Sequence, residues 1–343
     1  MQSIHLQQSQ RILIVGPAWV GDMVMAQSLF MALKKQRPDC HIDVLAPAWT
    51  LSLLERMPQI RQAVCMPAGR GELALWKRLT WGVQLRSADY DQAILLPNSW
   101  KSALLPLAAD IPQRTGYLGE LRWGLLNDIR VLDEQRLPMT VQRFVALAYP
   151  AGDDAIPDCP VPRLAIAGQK LAACKKKFQI QHSDKILALC PGAEYGPAKR
   201  WPAGYYAQLA IKKIQQGWQV WLFGSVKDQA VCAEIKQTVQ QDCRDFSGQT
   251  SMAEAVDLMS LVDLVISNDS GLMHVAAALD KPLIAIYGSS DPNFTPPLND
   301  KSKIVTLALP CSPCFKRECP LGHSNCLREI SVQRVLTEIK GFF

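Results

Sequence analysis

The chain has 343 residues, 48% of them hydrophobic and 20% charged, with a formal net charge of +6. That length exceeds one ordinary core and suits two domains, and the balance excludes a disordered or fibrous chain. No run approaches the roughly 20 apolar residues that span a bilayer, and the opening MQSIHLQQSQ has neither the basic start nor the apolar core of a secretion signal, so a cytoplasmic protein is expected. Residues 11–15 read as a first strand, followed by a helix over about 21–36 with apolar residues at helical spacing. Further strands are expected at 42–46 and 92–97. A Pro- and Asp-rich stretch, 150–162, interrupts the pattern. It restarts with strands at 186–190, 219–223, 264–267 and 283–287, helices between them, and a last helix over 331–340.

Such alternation implies parallel sheets wrapped by helices, and two series split by a linker imply two doubly wound α/β domains facing each other. The expected division is 1–160, 161–330 and a terminal segment 331–343. The positive charge is spread without a like-charged block or a basic-aromatic motif, so no nucleic-acid partner is expected. It suits a solvated surface, or weak attraction to phosphates or an acidic membrane. Of eleven cysteines, seven are scattered through the chain and read as small core residues. The odd total argues against a disulfide scaffold.

Ligands of doubly wound sheets lie beyond the carboxyl ends of the strands, so the loops there carry the functional expectation. The loop after the first strand, Gly16-Pro17-Ala18-Trp19-Val20-Gly21-Asp22, lacks the G-x-G-x-x-G spacing, and Asp43 is not the acidic residue that would end a second strand. A dinucleotide site is thus disfavoured. Asp22 reads either as a carboxylate satisfying the helix N-terminus or as a base facing a cleft. The loop 191–202 is rich in Gly and Pro, and its Lys199 and Arg200 suit a diphosphate. In the next loop Gly224 permits a tight turn, and Asp228 reads either as a ribose contact or as a helix cap. In Ser267-Asn268-Asp269-Ser270-Gly271-Leu272-Met273-His274, Asp269, Ser270 and the free N–H groups of the following turn suit a nucleotide diphosphate.

These segments, with LPNSWKSALLP, RTGYLGELRWGLLNDIRVLD and KPLIAIYGSSDPNFTPPL, resemble the bacterial ADP-heptose:lipopolysaccharide heptosyltransferases over nearly the whole chain. The acceptor-side stretches 98–106 and 114–128 favour the type II members over their sisters I and III. The resemblance implies a GT-B fold, with an acceptor-binding first domain, a nucleotide-sugar-binding second domain and a final helix crossing back to the first. It implies inverting transfer from ADP-heptose to a lipid-A-linked core oligosaccharide without an obligatory metal. It assigns the base to Asp22 and donor contacts to Lys199, Asp269, Ser270, Gly271 and His274, with Gly224 and Asp228 more loosely. Acceptor contacts are expected from Asn98, Lys101 and Arg122. A non-hydrolysing sugar-nucleotide epimerase shares the two-domain architecture and is the alternative from another class.

Two further expectations concern surfaces and metals. Six of nine tryptophans precede residue 124, and Trp76, Trp81, Trp100 and Trp123 lie near Lys77, Arg78, Lys101 and Arg122. Rings beside cations suit peripheral association with the inner face of an anionic membrane. Cys311, Cys314, Cys319 and Cys326 follow C-x2-C-x4-C-x6-C with His323 among them. That set suffices for a structural Zn²⁺ and equally suits packed free thiols or an oxidisable pair.

Overall fold

The computed structural model describes residues 9–342 apart from 70, 154, 182–184 and 241. The stretch read above against a secretion signal therefore lies, up to residue 8, outside the described residues. The chain divides into two units, Met1–Pro160 and Val161–Phe343, and passes from one to the other once.

The first unit runs β1 (Arg11–Val15), α1 (Val20–Gln36), β2 (His41–Ala46), α2 (Leu51–Leu54), β3 (Ile60–Cys65), α3 (Leu75–Leu85), β4 (Gln92–Leu95), α4 (Trp100–Ala108), β5 (Gln113–Tyr117), β6 (Asp128–Arg130) and α5 (Thr140–Ala146). All six strands pair in parallel, in the order β3-β2-β1-β4-β5-β6. Central strands are covered on both faces, so β4 is buried throughout and β1 at every position but its first. Helix α1 is apolar on nearly all sides because it packs on α5 as well as on the sheet. Asp43 is wholly buried within β2. Its carboxylate accepts from Arg61 Nε at 2.9 Å and from the Tyr90 hydroxyl at 2.7 Å, which satisfies the charge inside the protein.

The second unit runs α6 (Gly168–Lys177), β7 (Ile186–Cys190), α7 (Ala203–Ile214), β8 (Gln219–Leu222), α8 (Gln229–Val239), β9 (Cys243–Asp245), α9 (Met252–Met259), β10 (Leu264–Asn268), α10 (Gly271–Ala278), β11 (Leu283–Ile286), β12 (Ser302–Val305), α11 (Asn325–Arg328) and α12 (Val332–Ile339). Its sheet, β12-β11-β10-β7-β8-β9, is again all parallel and repeats the winding of the first. Residues 331–343, expected to return to the first domain, cluster with the second unit. There α12 packs on α7 and β11 through Val332, Val335 and Ile339. Of the seven scattered cysteines, Cys40, Cys174, Cys190, Cys232 and Cys243 are buried as expected, whereas Cys65 is exposed and Cys159 half-buried.

In each sheet the winding reverses beside the unit's first strand, between β1 and β4 and between β7 and β10. A reversal sends the two following loops to opposite faces and leaves a crevice at the strand ends. Asp22 and Asn98 follow the first pair of strands; Lys199 and Asp269 follow the second.

Candidate functional site

The β7/β10 crevice brings together the residues with the clearest chemistry. Lys199 ends a single 3-10 turn after β7, and its ammonium pairs with Asp269 Oδ2 just past β10. Asp269 is buried and Lys199 largely so, and Lys199 Nζ also lies 5.1 Å from the centre of the Tyr195 ring. A buried residue that the sequence reading passed over sets this geometry. Asn268 Nδ2 donates to Pro191 O at 2.7 Å, while its Oδ1 accepts from Trp201 N and from the Tyr206 hydroxyl, each at 3.0 Å. One amide thus pins both ends of the loop 191–202 to the tip of β10. The signal for it was an asparagine at the end of a buried aliphatic strand, where both ends of the amide must find partners.

Helix α10 begins at Gly271, with Ser270 as its N-cap in extended backbone; no side chain caps this end. Ser270 Oγ stands 3.2 Å from Ser267 Oγ. The first-turn N–H groups and their share of the helix dipole therefore face the crevice beside Lys199, a setting that favours an anion. Burial pushes the His274 imidazole down to about 4, with Asp269 pulling it up and Lys199 pushing it further down. His274 is therefore neutral at pH 7. Just past β11, in the same sheet, the Ser289 and Ser290 hydroxyls are buried without a hydrogen-bond partner among the described residues.

Gly192 and Gly224 make room for one carboxylate. A Cβ on Gly192 would stand 2.3 Å from Asp228 Cγ, and one on Gly224 would stand 2.7 Å from Asp228 Cβ. Asp228 Oδ2 accepts from Ser225 N at 2.9 Å and from Ser225 Oγ at 2.7 Å, closing a capping box, and Oδ1 faces Arg200 at 3.6 Å. Of the two readings the sequence left open for Asp228, the cap is the one formed within its own loop.

In the first unit, Asp22 stands half-buried in the first turn of α1, and no side chain caps that helix. Trp49 Nε1 donates to Ala18 O at 3.1 Å and braces the preceding loop. Asn98 is exposed past β4, and Lys101 lies in the first turn of α4 with Nζ 3.3 Å from Gly71 O. Arg122 is wholly buried, which leaves it no surface for an acceptor. It donates to Pro97 O at 2.8 Å, to Asn98 Oδ1 at 3.3 Å and to Tyr117 O, so it shapes the loop that presents Asn98. Arg78 is buried as well, donating from Nε to Leu73 O at 2.8 Å, and Trp81 packs against the core. Trp76, at 77% exposure, and Trp123, at 62%, remain on the surface.

Cys311, Cys314, Cys319 and Cys326 line one small cavity with His323, Ser289 and Ala198. Among the described residues no three His, Cys, Asp or Glu side chains are set to hold a metal ion. Cys319 Sγ accepts from Ser324 N at 3.4 Å and His323 Nδ1 from Asn325 N at 3.0 Å. This cysteine-rich loop braces the Lys199 turn. Tyr195 donates its hydroxyl to Phe315 O at 2.7 Å, and Ala198 N donates to Arg317 O at 3.0 Å.

Known proteins resemble this chain in sequence and in fold. The family described as glycosyltransferase family 9 (heptosyltransferase) matches residues 78–325. Lipopolysaccharide heptosyltransferase 2 of Salmonella typhimurium is 46% identical over 339 residues, 96% of this chain and 97% of that protein. Lipooligosaccharide heptosyltransferase 2 of Haemophilus influenzae is 49% identical over 309 residues, 86% of this chain and 88% of that protein. The solved structure of Escherichia coli ADP-heptose LPS heptosyltransferase II superposes with a TM-score of 0.87 at 42% identity, covering 97% of this chain and 98% of that one.

Proposed function

The chain belongs to glycosyltransferase family 9, the heptosyltransferases, and from that premise we propose that it moves L-glycero-D-manno-heptose from ADP-heptose to the first heptose of the lipopolysaccharide inner core, with inversion. Its fold is the GT-B type. In this reading the first unit takes the acceptor and the second the donor. The observation that carries it is the Lys199–Asp269 pair beside the uncapped start of α10: a cation and free N–H groups where a diphosphate would lie.

Asp22 takes the proton from the attacking acceptor hydroxyl, whose oxygen bonds to the anomeric carbon. The carbon–oxygen bond to the β-phosphate breaks on the opposite face, and its electron pair leaves with ADP. Lys199 and the first turn of α10 stabilise the charge that grows there. With those groups in place the reaction needs no divalent cation, and full turnover in EDTA is the expected result. Ser270, Gly271 and neutral His274 line the same donor subsite, while Asn98 and Lys101 serve the acceptor. The cysteine-rich loop acts as a brace held by packing and hydrogen bonds. One equivalent of zinc in protein prepared without a metal-affinity tag would replace that account with coordination.

We propose as well that the enzyme works at the cytoplasmic face of the inner membrane, where a lipid-A-linked acceptor is anchored, with Trp76 and Trp123 at the lipid surface. The test of function is product analysis by mass spectrometry, with ADP-heptose and acceptors truncated before or after the first heptose. Transfer to the heptose-free acceptor alone would assign the chain to the preceding step of the core; release of ADP without a new glycosidic bond would overturn the reading.

A further inference from the structure

We propose that Arg317, carried by the cysteine-rich loop, is a second cationic contact for the diphosphate of the donor; this rests on the donor reading given above. Lys199 Nζ and Arg317 Cζ lie 5.1 and 5.4 Å from the centre of the same Tyr195 ring. An aromatic face holds a guanidinium by electrostatic attraction while leaving its N–H fork free in the ring plane's surroundings, and that fork matches phosphate oxygens. The neighbouring cations are already matched by acids: Lys199 with Asp269, Arg200 with Asp228, and Lys227 with Glu194. Arg317 is exposed, and among the described residues its guanidinium pairs with no carboxylate and donates no hydrogen bond. Its charge is therefore available to a ligand.

The backbone fixes where that charge stands. Arg317 O accepts from Ala198 N at 3.0 Å, one residue before Lys199. A Cβ at Gly196 would come within 2.4 Å of the same oxygen, so the two loops approach as closely as glycine allows. Tyr195, between them, is anchored through its hydroxyl to Phe315 O. Two cations from segments more than a hundred residues apart in the chain thus lie beside one ring. A nucleoside diphosphate carries more charge than Lys199 alone can match, and the excess grows as the sugar departs.

The test is calorimetric titration of the full chain with ADP, AMP and adenosine. Arg317→Met keeps an apolar stem on Tyr195 and leaves the backbone bonds in place. It should weaken ADP binding roughly tenfold or more, the scale of a lost charge-assisted hydrogen bond, with AMP and adenosine held nearly as before. Arg317→Lys should recover part of the loss. ADP bound as tightly by Arg317→Met as by the parent overturns the proposal, and so does an equal loss for adenosine, which would mark a loosened loop. A parent protein that binds ADP no better than adenosine removes the donor assignment itself and this contact with it.

Discussion

Asp22 combines partial burial with a position at the crevice end of β1, a setting that suits the role of base proposed for it. Asp22→Asn is expected to leave ADP affinity unchanged and to cut turnover by roughly two to four orders of magnitude. Near-parental turnover would reduce this carboxylate to a partner of the helix dipole. Asp269 is a different case, because the donor role proposed for it is coupled to stability. It is buried against Lys199, and removing one partner strands the other charge. Asp269→Ala should therefore lower both ADP affinity and stability, the latter by about 3 kcal/mol, as read by calorimetry and urea denaturation. His274 gives a pH signature. Its folded value lies at about 4 against an ordinary 6.5, so between those limits the unfolded chain binds the proton that the folded protein refuses. Stability should fall as the pH drops from about 6.5 towards 4, by roughly 2–4 kcal/mol in all. His274→Gln should flatten that part of the curve, and an unchanged slope would point to other groups.

At the scale of elements, the loop 191–202 depends on a bond network centred on a strand tip. Asn268→Ala leaves Trp201 N and Pro191 O short of a partner and the Tyr206 hydroxyl with only its longer bond to Cys190 O at 3.4 Å, and should cost roughly 2–4 kcal/mol. ADP affinity should fall with it, because the loop carries Lys199. Full ADP affinity at the lower stability would separate the network from the site. The sequence was most legible where burial is complete on both faces. β1 and β7 have the bounds expected for them, since an unbroken aliphatic run has few other uses. Edge strands were not legible. β6 and β9 have three residues each, and β3 is half-exposed with polar residues among the apolar, so neither length nor pattern marks them. The candidate site followed the same rule. Loops at strand ends announce themselves through Gly, Asp and Lys, but nothing local tells that Arg122 turns inward or that Asn268 ties two loops. Those facts arise from tertiary contacts, which sequence spacing does not encode.

The whole molecule meets its acceptor at a membrane in the reading proposed here, although among the described residues no helix is long and apolar enough to cross one. Trp76, Leu121 and Trp123 are exposed, and ring or aliphatic surface of this kind favours the headgroup boundary. Flotation with anionic liposomes should carry the parent protein upward, and Trp76→Ser with Trp123→Ser should reduce the floating fraction severalfold. Equal flotation with neutral and anionic lipid would count against the role of charge. The single passage of the chain between its units, at Pro160 and Val161, matters for biogenesis. Ser28 Oγ donates to Pro160 O at 2.6 Å, so the last residue of the first unit is tied to its own first helix. At ordinary translation rates the remaining residues take roughly 10–40 s to emerge. The first sheet therefore has time to fold on the ribosome before the second exists. Nascent chains arrested once Pro160 has cleared the exit tunnel should already protect α1 from protease, and the vectorial order of synthesis then shields each half from mispairing with strands of the other.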